Sequence, residues 1–90
     1  MPEPRHDEAL VNRIVERISA LSVSAFDGAD VGRELQQAMQ EAVAQCRGGA
    51  DGEGSLTVLA TRLRERAEAA GREDQPVVRD TFERAAELAK

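Results

Sequence analysis

The sequence predicts an all-α fold, a small four-helix up-down bundle. Apolar side chains recur every three or four residues along four segments, and no segment shows the period-2 alternation of a strand. Clusters of Gly, Asp or Pro separate these segments, as expected for turns. The 90 residues are sufficient for one small domain. The predicted helices cover residues 7–26, 30–47, 55–70 and 74–89.

The first helix follows a segment without apolar periodicity. Residues 1–6 include two prolines, so we expect a flexible tail followed by one helical domain over residues 7–90. The helix is expected to end near Phe26, because Asp27 and Gly28 are turn residues. Its apolar stripe comprises Leu10, Val11, Ile14, Val15, Ile18, Leu21 and Ala25.

The second helix is expected to begin with an aspartate cap. Either Asp27 or Asp30 could accept a hydrogen bond from a free N–H of the first turn. Gly48 and Gly49 are expected to end the helix in the left-handed conformation. Residues 47–54 hold four of the seven glycines and are predicted to form a flexible linker. The stripe comprises Val31, Leu35, Ala38, Met39, Ala42, Val43 and Cys46.

The last two helices have less bulky apolar faces. Ser55 is the predicted cap of the third helix and Gly71 its predicted end, while Pro76 is tolerated in the first turn of the fourth. The two stripes comprise Leu56, Leu59, Leu63, Ala67 and Ala70, then Val78, Phe82, Ala85, Ala86 and Ala89.

The predicted core is aliphatic and rich in alanine. The chain has no Trp or Tyr, and 15 of its 37 apolar residues are Ala. Helices with alanine faces approach a neighbour closely but bury little area, and a second copy would add buried area. The sequence therefore leaves both a monomer and a bundle completed by dimerisation open.

Composition argues against several classes of protein. The longest apolar runs have three residues, and the N-terminus lacks the pattern of a secretory signal, so we expect a cytoplasmic protein without a membrane partner. A single cysteine, Cys46, and a single histidine, His6, provide no disulfide and no usual metal site, so we expect neither metal nor cofactor. The net charge of −5 disfavours general binding of nucleic acid.

Three arginines of the third helix are the candidate partner-binding residues. Arg62 and Arg66 share a helix face while Arg64 points away, and together they could bind a phosphate or an acidic partner. The alternative is a solvated face with pairing along the helix. Cys46 falls on the apolar stripe near the end of the second helix, where we expect a small buried side chain rather than a reactive thiol.

The segment Gly54-Ser55-Leu56, followed by Leu59 and Leu63 on a helix, resembles acyl and peptidyl carrier proteins. The resemblance implies a four-helix acidic domain in which Ser55 carries a phosphopantetheine arm. The Asp usual before that serine is Gly54 here, and a second amphipathic helix replaces the long loop expected before the serine.

We predict a non-enzymatic, small acidic interaction protein of bacterial type. No nucleophile, base and orienting group fall into a catalytic pattern in the sequence. The protein would act as an adaptor, a regulator or an antitoxin- or immunity-like partner, by docking one helix face onto another protein or a second copy. The alternatives are a sheltered pocket for an apolar ligand and the carrier domain modified at Ser55.

Overall fold

The computed structural model describes residues 8–49 and 51–89. These residues contain four α-helices and no strand. The predicted all-α four-helix bundle is confirmed. In chain order the helices are α1 (Glu8–Phe26), α2 (Gly32–Arg47), α3 (Gly52–Arg72) and α4 (Pro76–Leu88).

Side-chain contacts between helices show their relative direction. Arg62, in the middle of α3, pairs with Glu8 and hydrogen-bonds Asn12 at the start of α1. The last turn of α1 and the last turn of α3 line one common groove. The first and third helices therefore run in the same direction, as an up-down order requires. Each helix packs against the other three, and the contact between α3 and α4 is the most extensive.

The core contains most of the apolar positions that the helical periodicity predicted, whereas Ala25, Val31 and Val43 are only half-buried and lie outside it. Leu10, Leu21, Leu56 and Val78 are only partly buried against it. The buried apolar residues are Val11, Ile14, Val15, Ile18, Leu35, Ala38, Met39, Ala42, Cys46, Leu59, Leu63, Ala67, Ala70, Phe82, Ala85, Ala86 and Ala89. The predicted alanine-rich core faces of the last two helices are therefore present.

Three hydroxyl side chains are buried that the apolar pattern did not predict, namely Ser22, Ser55 and Thr81. The Ser22 hydroxyl donates to the Ser19 carbonyl at 2.6 Å, and the Thr81 hydroxyl donates to the Val77 carbonyl at 2.9 Å. A hydrogen bond to a carbonyl of the preceding helical turn replaces the bond to water, so it offsets most of the free-energy cost of burying the hydroxyl. These positions therefore complete the apolar stripes although their side chains are polar.

The third helix begins earlier and ends later than predicted. It begins at Gly52 because Asp51 is the N-cap, and the Asp51 carboxylate accepts a hydrogen bond from the Gly54 N–H at 3.0 Å. The prediction of Ser55 as the cap is wrong, since Ser55 lies buried inside the helix. Gly71 likewise lies inside α3, and Asp74 adopts the left-handed conformation after it, with φ of 58°. Aspartate is one of the few residue types besides Gly that adopt this conformation readily.

The other helix ends also differ in detail. The second helix begins at Gly32 with Val31 as its N-cap, so neither Asp27 nor Asp30 is the N-cap residue. The Asp30 carboxylate nevertheless accepts a hydrogen bond from the Gly32 N–H at 3.1 Å. Gly48 follows α2 in a right-handed conformation, with φ of −75°, so the expected left-handed closure is absent there. The fourth helix begins at Pro76 rather than at residue 74.

The turn between α2 and α3 is too tight for a side chain at Gly52. A Cβ atom at this position would lie 2.9 Å from both the Cys46 carbonyl oxygen and the Arg47 Cα. Both neighbours are backbone atoms, which cannot rotate away. The glycine-rich segment therefore permits a close turn, and α3 starts within the predicted linker over residues 47–54.

Replacement of Asp51 by Ala is expected to lower the free energy of unfolding by about 1 kcal/mol, because the Gly54 N–H loses its acceptor. The measurement is urea denaturation followed by circular dichroism at 222 nm. Asp27→Ala, at an exposed turn residue, is the matched control and is expected to be nearly neutral. Equal effects of the two substitutions would contradict the assignment of Asp51 as the cap.

Candidate functional site

Arg62 connects two helices. Its guanidinium donates to the Asn12 side-chain oxygen at 2.8 Å and pairs with the Glu8 carboxylate. The Arg62 side chain is 32% exposed, so both neighbours and the helix surface cover much of it. Arg62 therefore holds α3 against the first turns of α1 and is less available to a partner than a solvated arginine.

The structure does not bring the three candidate arginines into one site. Arg64 is exposed and lines a groove between the first half of α3 and the end of α4. Arg66 is exposed and lines a different groove, beside the last turn of α1. Arg62 and Arg66 do share a shallow depression that also includes Arg72. The expectation that Arg64 points away from the other two agrees with this arrangement.

Ser55 lies in the first turns of α3 with only 3% of its surface exposed. A phosphopantetheine arm must be attached to a hydroxyl that a modifying enzyme reaches from solvent. Burial of Ser55 gives the carrier hypothesis no support from the fold, although the helix around this residue has the expected Leu59 and Leu63 on its buried face.

The remaining candidate residues are Cys46 and His6. Cys46 is a free, buried cysteine with 1% exposure, as its position on the apolar stripe predicted. His6 lies outside the described residues. Over residues 8–49 and 51–89, no three His, Cys, Asp or Glu side chains are grouped so that they could hold a metal ion.

A groove lies at the end of the bundle where α1 and α3 finish and α4 begins. We call this surface the end groove; its volume is about 370 Å³. Its apolar lining comprises Val23 and Phe26 from α1, Ala69 and Ala70 from α3, and Val78 and Phe82 from α4.

Phe26 and Val23 are the exposed apolar side chains of the end groove. Phe26 is 63% exposed and Val23 is 56% exposed, whereas Phe82 at the same groove is 3% exposed. Val23 and Phe26 are three positions apart, so both lie on one flank of α1, the flank that lines the end groove. The facing residues of α3, Ala69 and Ala70, are too small to cover them.

Two opposite charges stand at the α3 side of the end groove. Arg66 and Glu73 are both exposed and both line it. In the part of the chain that the structure describes, neither side chain forms an ion pair. The end groove thus combines a large exposed aromatic ring, a concave apolar lining and charged groups free to pair with an external partner.

Sequence reasoning missed this groove. The predicted apolar stripe of the first helix ends at Ala25, and Phe26 marks only the expected helix end. The available signal was a pair of large apolar side chains, Val23 and Phe26, three residues apart and displaced from the main stripe.

A second groove lies at the opposite end of α3. It has a volume of about 470 Å³ and is lined by Leu56, Thr57, Ala60, Thr61, Arg64 and Ala89, together with Arg47 and Glu53. Most of its exposed groups are polar or charged, and none of its lining side chains is a large apolar residue that is mostly exposed. This groove lacks an aromatic anchor of the kind that Phe26 provides.

No helix within the described residues is long and apolar enough to cross a membrane. No protein-family model, no curated protein and no solved structure matches this chain.

Proposed function

We propose that the chain is a non-enzymatic helical interaction module that binds another polypeptide at the end groove by helix-face docking. The observation that carries the proposal is the 63% exposure of Phe26 beside a concave apolar surface. Single exposed apolar residues are common on protein surfaces. An exposed aromatic ring at the edge of an apolar groove is instead typical of an interaction site.

Burial of Phe26 and Val23 would provide the main favourable free energy of docking. Complete burial of one large apolar side chain contributes about 1.5–3 kcal/mol. Each of the two side chains is already partly covered by its own chain, so docking would contribute only part of this free energy. Arg66 and Glu73 would contribute orientation and selectivity more than affinity, because charges at the edge of an interface remain partly solvated.

The proposed role includes adaptors, regulators and antitoxin- or immunity-like partners. All of these proteins act by covering a surface of another polypeptide rather than by chemistry. We assign no catalytic residue and no cofactor to the chain. Arg62 is assigned a structural role, because it already pairs with Glu8 and Asn12.

The proposal is tested by photo-crosslinking in the cells that make the protein. A p-benzoylphenylalanine in place of Phe26 is expected to give a discrete covalent adduct, whose mass identifies the docked polypeptide. The control carries the same group in place of Gln37, an exposed residue of α2. No adduct at position 26, or the same adducts at both positions, would contradict docking at the end groove.

A further inference from the structure

The α3 edge of the end groove carries a charge pattern with internal symmetry. Arg66 and Ala69 lie on one face of α3, and Glu73, the C-cap residue, follows on the same side, since intervals of three and four residues return to the same side of a helix. Arg66 and Glu73 are seven residues apart, which corresponds to about 10 Å along a helix. Ala69 lies near the midpoint between the two charges.

A two-fold axis near Ala69 would make this edge complementary to itself. Two α3 helices that lie antiparallel across such an axis place Arg66 of each copy opposite Glu73 of the other. Both charges lack an ion-pair partner within the described part of one chain. The small side chain of Ala69 at the centre lets two helix backbones approach closely. In a two-fold interface both subunits contact each other through the same surface patch.

We infer that the partner docked at the end groove is a second copy of this chain, held by reciprocal Arg66–Glu73 pairs around a two-fold axis near Ala69. The inference rests on the proposed docking function and specifies its occupant. Phe26 and Val23 of each copy would be covered in this dimer, which removes the most exposed apolar surface of the end groove from water. Reciprocal pairing favours a second copy over an unrelated polypeptide because an unrelated surface has no reason to match both charges at this spacing.

Charge reversal tests the inference by sedimentation equilibrium from micromolar to millimolar concentration. Interference optics suit this chain because it has no Trp or Tyr. The wild type is expected to change from monomer to dimer as concentration rises. Arg66→Glu and Glu73→Arg are each expected to raise the dissociation constant of the dimer about tenfold, because each replaces two attractive pairs with two repulsive ones. The double variant is expected to restore dimerisation, since the pairs form again with exchanged signs.

Two further variants complete the test. Arg64→Glu changes the same charge on the same helix but at the other groove, so the dissociation constant is expected to remain unchanged. Phe26→Ser is expected to abolish the dimer. Circular dichroism establishes that each variant is folded, as expected for substitutions at exposed positions.

The inference is overturned if the wild type remains a 9.7 kDa monomer at every concentration, or if the double variant fails to restore association. It is also overturned if Arg64→Glu weakens the dimer as much as Arg66→Glu. A monomeric wild type that still crosslinks through position 26 to a different polypeptide would leave the docking function in place and reject only the dimer. Crosslinking through position 26 to a second copy would support both.

Discussion

Replacement of Leu63 by Ala is expected to lower the free energy of unfolding by about 2–5 kcal/mol. Leu63 is fully buried in the middle of α3 and belongs to the cluster that all four helices share. The substitution removes buried methyl groups and leaves a cavity that neighbouring helices fill only in part. Small domains have a total stability of about 0.05–0.15 kcal/mol per residue, so the loss is a large share of the stability of this chain.

Urea denaturation at one fixed protein concentration measures this loss, with circular dichroism at 222 nm as the signal. Leu88→Ala removes the same atoms from the end of α4, where the side chain is 36% exposed, and serves as the control. The control is expected to cost less than about 1 kcal/mol. If the two variants lost equal stability, Leu63 would not occupy a closely packed core.

The spacing of apolar residues predicted the core because residues three or four positions apart lie on the same face of a helix, and that face is buried. Val11, Ile14 and Ile18 recur on one side of α1 whatever the neighbouring helices are, and all three are buried. The same reasoning identified Cys46 and the alanines of α4. It could not identify Ser22 or Thr81, because both residues are polar and a pattern of apolar residues omits them. Their hydroxyls can be buried because each donates a hydrogen bond to a backbone carbonyl of its own helix.

The helix ends were harder to predict because competing residues have similar local preferences. Asp51 and Ser55 are both good caps, and what decides between them is that Ser55 packs inward while the Asp51 carboxylate remains at the surface. Gly71 has the stronger preference for a left-handed conformation, yet α3 continues past it and Asp74 adopts that conformation instead. Packing against the core therefore decides the position of Ser55, which local preference alone does not.

The end groove could not be predicted from any single helix, because residues of three helices line it. It exists because the last turn of α1 meets a part of α3 where Ala69 and Ala70 are too small to cover Phe26. Contacts of this kind join residues far apart in the chain, as does the pair of Arg62 with Asn12, which are separated by 50 positions. The sequence identified Arg66 as a candidate residue, but its relation to Phe26 and Glu73 required the packing of the helices.

Replacement of Ala85 by Leu is expected to lower the free energy of unfolding by about 1–3 kcal/mol, through excess volume rather than a cavity. Ala85 is fully buried in α4, the helix that makes the most extensive contact with α3. It lines neither the end groove nor the second groove, so the added carbon atoms have no open space to enter.

The control for the Ala85 variant is Ala44→Leu, which adds the same atoms at an exposed position of α2 and is expected to leave stability nearly unchanged. Both variants replace Ala by Leu inside a helix, so their small difference in helix propensity cancels. A loss confined to Ala85→Leu would mean that the alanine at this position sets how closely α4 packs against the core. No loss, or a gain, would mean that α4 shifts to admit the larger side chain. In that case the shape of the end groove would also change, because Phe82 is on the same helix and lines that groove.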